Sequence, residues 1–241
     1  MSYKSLNEIK GRLEKLGTYE LNEDRFVQIA DSALEYEKPV DRLLNGYQNL
    51  LSEVSNQMGK MDEHMGIKPS CQMGCAFCCY FPIIVTRLEA KMIIRAIEQM
   101  EPDEKLALQS HLKDYFKKHE EKIDYCTSLD FEHEDTKFDY MKEQLPCPLL
   151  NTETNTCMAY EWRPLPCRTY VNYLNPKICE DQLVPEETVS FEFLYEDYMS
   201  NLNQVAKEVA YEDNELLDYP EDIFEYNYLP VFLKQWINRG G

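Results

Sequence analysis

The sequence predicts a mainly α protein in which helices support an irregular, cysteine-rich metal-binding core, with little or no sheet. Three observations predict it. Apolar residues recur at steps of three and four on both sides of the chain's centre, the period of an amphipathic helix. Alternating apolar and polar runs, the mark of half-buried strands, are almost absent. All nine cysteines fall between Cys71 and Cys179, the last part of that stretch being broken by prolines and poor in periodic pattern.

The elements follow in order. A helix is expected around Glu23 to Tyr36, closed by Pro39, since proline is poorly tolerated in a helix interior. Val40, Leu44, Tyr47, Leu51, Val54, Met58 and Met61 then draw one apolar stripe along a long helix, which Gly66 and Pro69 break. A brief extended stretch, Phe81 to Val85, leads into Thr86-Arg87-Leu88-Glu89. This is a capping box, and it opens a helix through Met92, Ala96, Ile97 and Met100. Pro102 starts a charged helix to about Lys122. Asp124 to Glu143 is acidic, aromatic and weakly periodic, so a long loop with one helical turn is expected. Beyond it, Pro148, Pro164, Pro166 and Pro176 predict irregular backbone held by something other than regular hydrogen bonding. Phe191, Leu194, Tyr198, Leu202, Val205 and Val209 form a further helical stripe, and Pro230 sits where a final helix carrying Phe232, Leu233 and Trp236 can begin. The segments divide as 1–65, N-terminal helices packing on the core; 66–180, the cysteine-cluster domain; and 181–241, acidic and aromatic helices, all expected in one compact unit.

Composition excludes several functions. The 241 residues are 44% apolar and 29% charged, as in a folded globular chain. With 25 Lys and Arg against 44 Asp and Glu, the net charge of −19 repels phosphates, so no nucleic-acid partner is expected. Tyr80 to Val85 is the longest apolar run, too short to span a bilayer, so no membrane association is expected. The opening stretch, Met1 to Leu16, lacks the apolar centre of a signal peptide, and a cytoplasmic location follows as the expectation. The eight glycines form neither a Gly-x-Gly-x-x-Gly nor a Walker pattern, which argues against nucleotide binding.

The cysteines carry the chemistry. An odd number of thiols without an export signal fits a disulfide framework poorly. The string Cys71-Gln72-Met73-Gly74-Cys75-Ala76-Phe77-Cys78-Cys79 crowds four of them together. If it is helical, the sulfurs share one face; if it is a loop centred on Gly74, Cys75 and Cys78 form a two-residue knuckle suited to zinc or iron. Left without a metal, such thiolates repel and such thiols oxidise. A second group comprises Cys147-Pro148, then Cys157 to Cys167-Arg168, then Cys179. Arg163 and Arg168 flank these thiolates in an otherwise acidic chain, where guanidinium groups can offset charge and donate hydrogen bonds to sulfur. His64 is the one histidine near a motif, while His111, His119 and His133 lie in charged stretches expected to be solvated, so cysteine-only ligation is favoured. Cys126 lies outside both groups and reads as a bystander.

These residues resemble the YkgJ-type CxxCxxCC cysteine-cluster family of zinc- or iron-chelating domains. The resemblance runs from Cys71 to Glu180. It includes the Cys-x3-Cys-x2-Cys-Cys start, Pro82, Thr86 and Glu89-Ala90, the Cys147-Pro148 pair, the string Cys157-x2-Tyr160-x2-Arg163-Pro164-x2-Cys167-Arg168, and Cys179-Glu180. Ala159 departs from the larger aliphatic residue usual before the tyrosine. The resemblance implies metal binding by Cys71, Cys75, Cys78, Cys79, Cys147, Cys157, Cys167 and Cys179, in one centre or two, and it supplies no reaction. Soft thiolates suit an iron–sulfur cluster, a 4Fe–4S cluster being one form, with zinc as the alternative.

Three functions compete. The first is a cluster carrier, electron-transfer protein or metal-stabilised module. The second is an enzyme, because Cys71-x3-Cys75-x-Phe77-Cys78 matches the spacing of radical S-adenosylmethionine enzymes, and flagellin lysine-methylating proteins contain a similar cysteine-cluster region. The strands and glycines of a partial barrel are missing for it. The third is a basic protein partner for the acidic C-terminal part, where fifteen acids face one lysine between Glu180 and Glu225.

Overall fold

A computed structural model describes residues 3–72, 74–182, 188–213 and 215–241. Met73 of the cysteine string and residues 183–187 of the acidic segment lie outside these residues. In chain order the helices are α1 (Leu6–Leu13), α2 (Asp24–Leu34), α3 (Pro39–Met65), α4 (Arg87–Glu98), α5 (Pro102–Lys118), α6 (Glu120–Ser128), α7 (Glu134–Lys142), α8 (Pro166–Thr169), α9 (Lys177–Asp181), α10 (Leu194–Glu212), α11 (Glu221–Phe224) and α12 (Leu229–Asn238). The strands are β1 (Ile84–Thr86), β2 (Leu150–Asn151), β3 (Thr156–Cys157), β4 (Tyr170–Asn172), β5 (Thr188–Ser190) and β6 (Tyr226–Tyr228). Among the described residues they pair only as antiparallel twos, β1 with β6, β2 with β3 and β4 with β5, so the protein is mainly α with little sheet. Among the described residues, no helix is long and apolar enough to cross a membrane.

The chain forms two compact units. Met1–Cys75 with Leu165–Asp218 makes one, and Ala76–Pro164 with Tyr219–Gly241 the other. In the first, α2, α3 and α10 pack on one another. Pro39 in the first turn supplies a preset φ and lacks an N–H that would be orphaned there. Gly66 ends α3 in the left-handed region at φ 68°, so its own N–H and that of Ile67 cap the last carbonyls. The face of α3 is wider than the predicted stripe: Leu43 and Leu50 are buried besides Leu44, Tyr47, Leu51 and Val54. Two helices pack against it, and one heptad seam cannot serve both. At Gly46 both lie close, since a Cβ there would meet Ala33 of α2 and Val205 of α10 at 3.4 Å. Each fully buried Leu or Val of this core contributes about 1.5–3 kcal/mol.

In the second unit, Thr86 closes its capping box as expected: its hydroxyl accepts from Glu89 N and the Glu89 carboxylate accepts from Thr86 N. β1 ends at that cap and pairs with β6, Ile84 opposite Tyr228, while α12 packs on α4, α5 and α6. Pro230 lies in the first turn of α12, as its sequence position suggests. The stretch from Asp124 to Glu143 is a correction. It is largely helical, α6 reaching Ser128 and α7 covering Glu134–Lys142. Ile123 and Cys126 on α6, and Tyr140 and Met141 on α7, are its buried anchors. Two anchors per helix are too few to make a period visible in sequence, and packing stabilises helices this short.

Candidate metal centre

The cysteine string takes the loop form rather than the helical one. Cys75 N donates to Gln72 O at 2.9 Å, closing a turn in which Gly74 sits at φ 89°, a conformation glycine alone adopts readily. Cys78 and Cys79 then lie on a single 3-10 turn, Phe77–Tyr80, so they do not share the face of an α-helix with Cys71.

The first unit contains Cys71, Cys75, Cys167 and Cys179. Cys167 lies on α8, opened by Pro166 and tied down by Arg168 N and Thr169 N, both donating to Leu165 O. Cys179 lies on α9. Asn172, at the end of β4, donates its backbone N–H to Cys71 Sγ and its side-chain amide to Cys179 Sγ, both at 3.3 Å. The next residue, Tyr173, donates from its hydroxyl to Asp62 Oδ1 at 2.6 Å, which ties this segment to the end of α3. Burial pushes the Asp62 carboxyl up from the ordinary range, and the Tyr173 hydrogen bond partly offsets that.

In the second unit Cys147 N donates to Cys79 O at 2.6 Å, joining the two halves of the motif through backbone. Cys157 is fixed near the same turn by the β2–β3 hairpin, where it pairs with Leu150, whose own N–H donates to Cys147 O. Asn151 Oδ1 accepts from Glu153 N and Thr154 N and shapes the hairpin end, and Asn155 supplies the left-handed residue at φ 54°. Tyr115 and His111 of α5 hold the loop before it, Tyr115 Oη donating to Pro146 O at 2.7 Å and His111 Nε2 lying 3.0 Å from Pro148 O. His111 is thus part-buried, not solvated as its charged surroundings suggested. Arg163 stacks 3.6 Å over the Tyr160 ring, a cation–π contact, and Arg168 donates to Ser55 Oγ at 3.2 Å in the first unit. Cys126 is fully buried on α6, and burial pushes its thiol up to about 11.

Among the described residues, no group of three or more His, Cys, Asp and Glu side chains stands ready-made around one point. The motif cysteines meet through Asn172 and through the Cys79–Cys147 backbone bond. The donor set still fits a soft metal: sulfur atoms with amide N–H groups aimed at them, the environment that stabilises metal-bound thiolate. His64 Nε2 lies 3.0 Å from Thr18 Oγ1 and 3.1 Å from Lys15 O, with its ring edge-on to Tyr19, and His133 Nε2 lies 3.5 Å from Asp130 Oδ2. Sequence reasoning missed Asn172, Tyr115 and Asp62. Only Asn172 left a trace, as a polar residue inside the apolar run Tyr170-Val171-Asn172-Tyr173-Leu174.

The fold and these cysteines define a helical protein with a cysteine-cluster chelating domain. Residues 70–188 match the CxxCxxCC family, described as "Putative zinc- or iron-chelating domain", and through this segment the chain belongs to that family. No curated protein and no solved structure gives a match to the chain.

Proposed function

We propose that the protein holds an iron–sulfur cluster through thiolates drawn from Cys71, Cys75, Cys78, Cys79, Cys147, Cys157, Cys167 and Cys179, as a redox or cluster-carrying protein of the cytoplasm. The observation that carries the reading is the pair of N–H donors aimed at Cys71 and Cys179, because a buried amide spent on sulfur stabilises an electron-rich ligand. The all-sulfur character of the set favours a cluster over zinc, whose sites often include histidine. A bound cluster supplies a one-electron couple. The chain's part is to present the thiolates, to place N–H groups beside them, and, through Arg163 and Arg168, to add positive charge near a negatively charged centre. Thiolates persist in a reducing compartment, which suits a cytoplasmic address. The acidic helices after Glu180 would steer a basic protein partner towards the molecule.

The test is anaerobic purification with iron, acid-labile sulfide and zinc counted per chain. Brown protein with iron and sulfide supports the cluster. Colourless protein with stoichiometric zinc replaces the cluster by a structural zinc site. Protein without bound metal, and unable to take it up, overturns the proposal.

A further inference from the structure

We propose that Asn172 is the positioning residue of the metal centre: its backbone N–H and its side-chain amide hold Cys71 and Cys179, from the two ends of the cysteine motif, as one charge-compensated pair of ligands. The inference rests on the metal-binding reading above and deepens it.

Asn172 is 1% exposed, and a buried amide is costly unless its polar atoms are matched. They are. Its carbonyl oxygen accepts from Ser70 N at 2.7 Å and from Ser70 Oγ at 2.8 Å, which anchors the residue just before Cys71. Its Oδ1 accepts from Leu174 N at 2.9 Å. That bond sets the orientation of the amide, because only the oxygen can accept from an N–H, so the NH2 group is the one turned to Cys179 Sγ. The backbone N–H meets Cys71 Sγ at 3.3 Å, and the carbonyl oxygen is further from that sulfur, at 4.0 Å. Pairing of β4 with β5, Asn172 opposite Thr188, holds the backbone of the residue in extended form.

The chemistry requires this residue type. Thiolates bound to a metal carry excess negative charge, and the chain as a whole is already at −19. A neutral amide donates to sulfur without adding charge, whereas aspartate of the same shape only accepts and sets a carboxylate against it. Substitution also separates the two contacts. The bond to Cys71 belongs to the backbone and survives any replacement except proline, so of the two sulfur contacts a side-chain change at Asn172 acts only on that to Cys179.

The experiment titrates Co2+ alone into anaerobic, metal-free wild type, Asn172→Asp, Cys179→Ser and the double variant, reading the thiolate-to-cobalt charge-transfer band. Iodoacetamide labelling of the Co2+-loaded proteins, located by peptide mass, reports each cysteine. Asn172→Asp is expected to weaken Co2+ binding about 10-fold, at the low end for loss of a group that orients a ligand. Cys179 should become labelled while Cys71 stays protected, and in the Cys179→Ser background the same change should cost nothing more. Asn172→Ser leaves a hydroxyl for the Leu174 N–H but none that reaches Cys179, and it carries the same expectation if the aspartate variant does not fold. Equal losses in both backgrounds, or unchanged protection of Cys179, overturn the assignment and leave metal binding standing. Wild type that takes up no Co2+ overturns the metal-binding reading and this assignment with it.

Discussion

The backbone N–H of Cys147 donates to the carbonyl oxygen of Cys79 across 2.6 Å. It ties a cysteine of the opening cluster to the first cysteine of the proline-rich half, using groups that no side-chain substitution removes. What keeps Cys147 at that place is the packing of α5 behind it, where Tyr115 reaches Pro146 and His111 meets Pro148.

Tyr115→Phe tests that support. Tyr115 is buried, and the change leaves the Pro146 carbonyl without this donor, at a cost of about 1–3 kcal/mol. For a chain of this size that is a fall in Tm of roughly 2–12 °C. Thermal unfolding followed by circular dichroism measures it, and an unchanged Tm would mean that α5 does not hold the loop.

Serine at Cys75 or Cys78 should abolish bound metal, serine at Cys167 should reduce it, and serine at Cys126 should leave it intact. Metal content per chain across variants prepared side by side decides this. Chelation should also lower Tm and expose Asp124 to Glu180 to protease, because ligand bonds formed only in the folded state contribute folding free energy. Full occupancy in both the Cys75 and Cys78 variants is incompatible with the proposed site.

Cys126 should be nearly inert to alkylation at pH 8 and react as pH approaches about 11, where burial has placed its thiol. The stability effect has a definite sign. The unfolded chain ionises first, near the free-thiol value of about 8.5. This group therefore costs the fold stability as pH rises from there to about 11. Cys126→Ser should remove that slope from the pH dependence of unfolding, leaving the rest unchanged.

Asp222→Asn should destabilise the second unit. Asp222 is 1% exposed and accepts from Arg87 Nε at 2.6 Å and Lys91 Nζ at 2.5 Å, binding α11 to α4. Both cations are partly exposed and recover hydration, so the loss should be about 1–3 kcal/mol, below that for a fully buried pair. Denaturant unfolding of the variant measures it. A loss below a few tenths of a kcal/mol would show that the two cations pair equally well with other groups.

Much of the scaffold was legible because its signals are local. The stripe on α3, the proline that opens it and the glycine that ends it each act within one turn of chain. The Thr86–Glu89 box is likewise complete in four residues. The loop expected from Asp124 to Glu143 failed for the opposite reason: α6 and α7 are stabilised by a few buried anchors against distant elements, and no short window contains that contact. At the site, the cysteine residue types and spacings were readable, as was the family they define. Their supports were not, since Asn172, Tyr115 and Asp62 carry no motif.

By itself the sequence determined the helical periodicity, the caps, the acidic charge and the cysteine spacings that match a zinc- or iron-chelating domain, because these depend on residue type and short spacing. The tertiary structure alone decided that Gly74 sits inside a turn rather than a helix, that Cys79 meets Cys147, and that one buried asparagine serves both Cys71 and Cys179. Those contacts join residues far apart in the chain. Burial makes each unmatched polar atom costly, so which donor meets which sulfur follows from how the backbone packs, and spacing along the chain does not encode it.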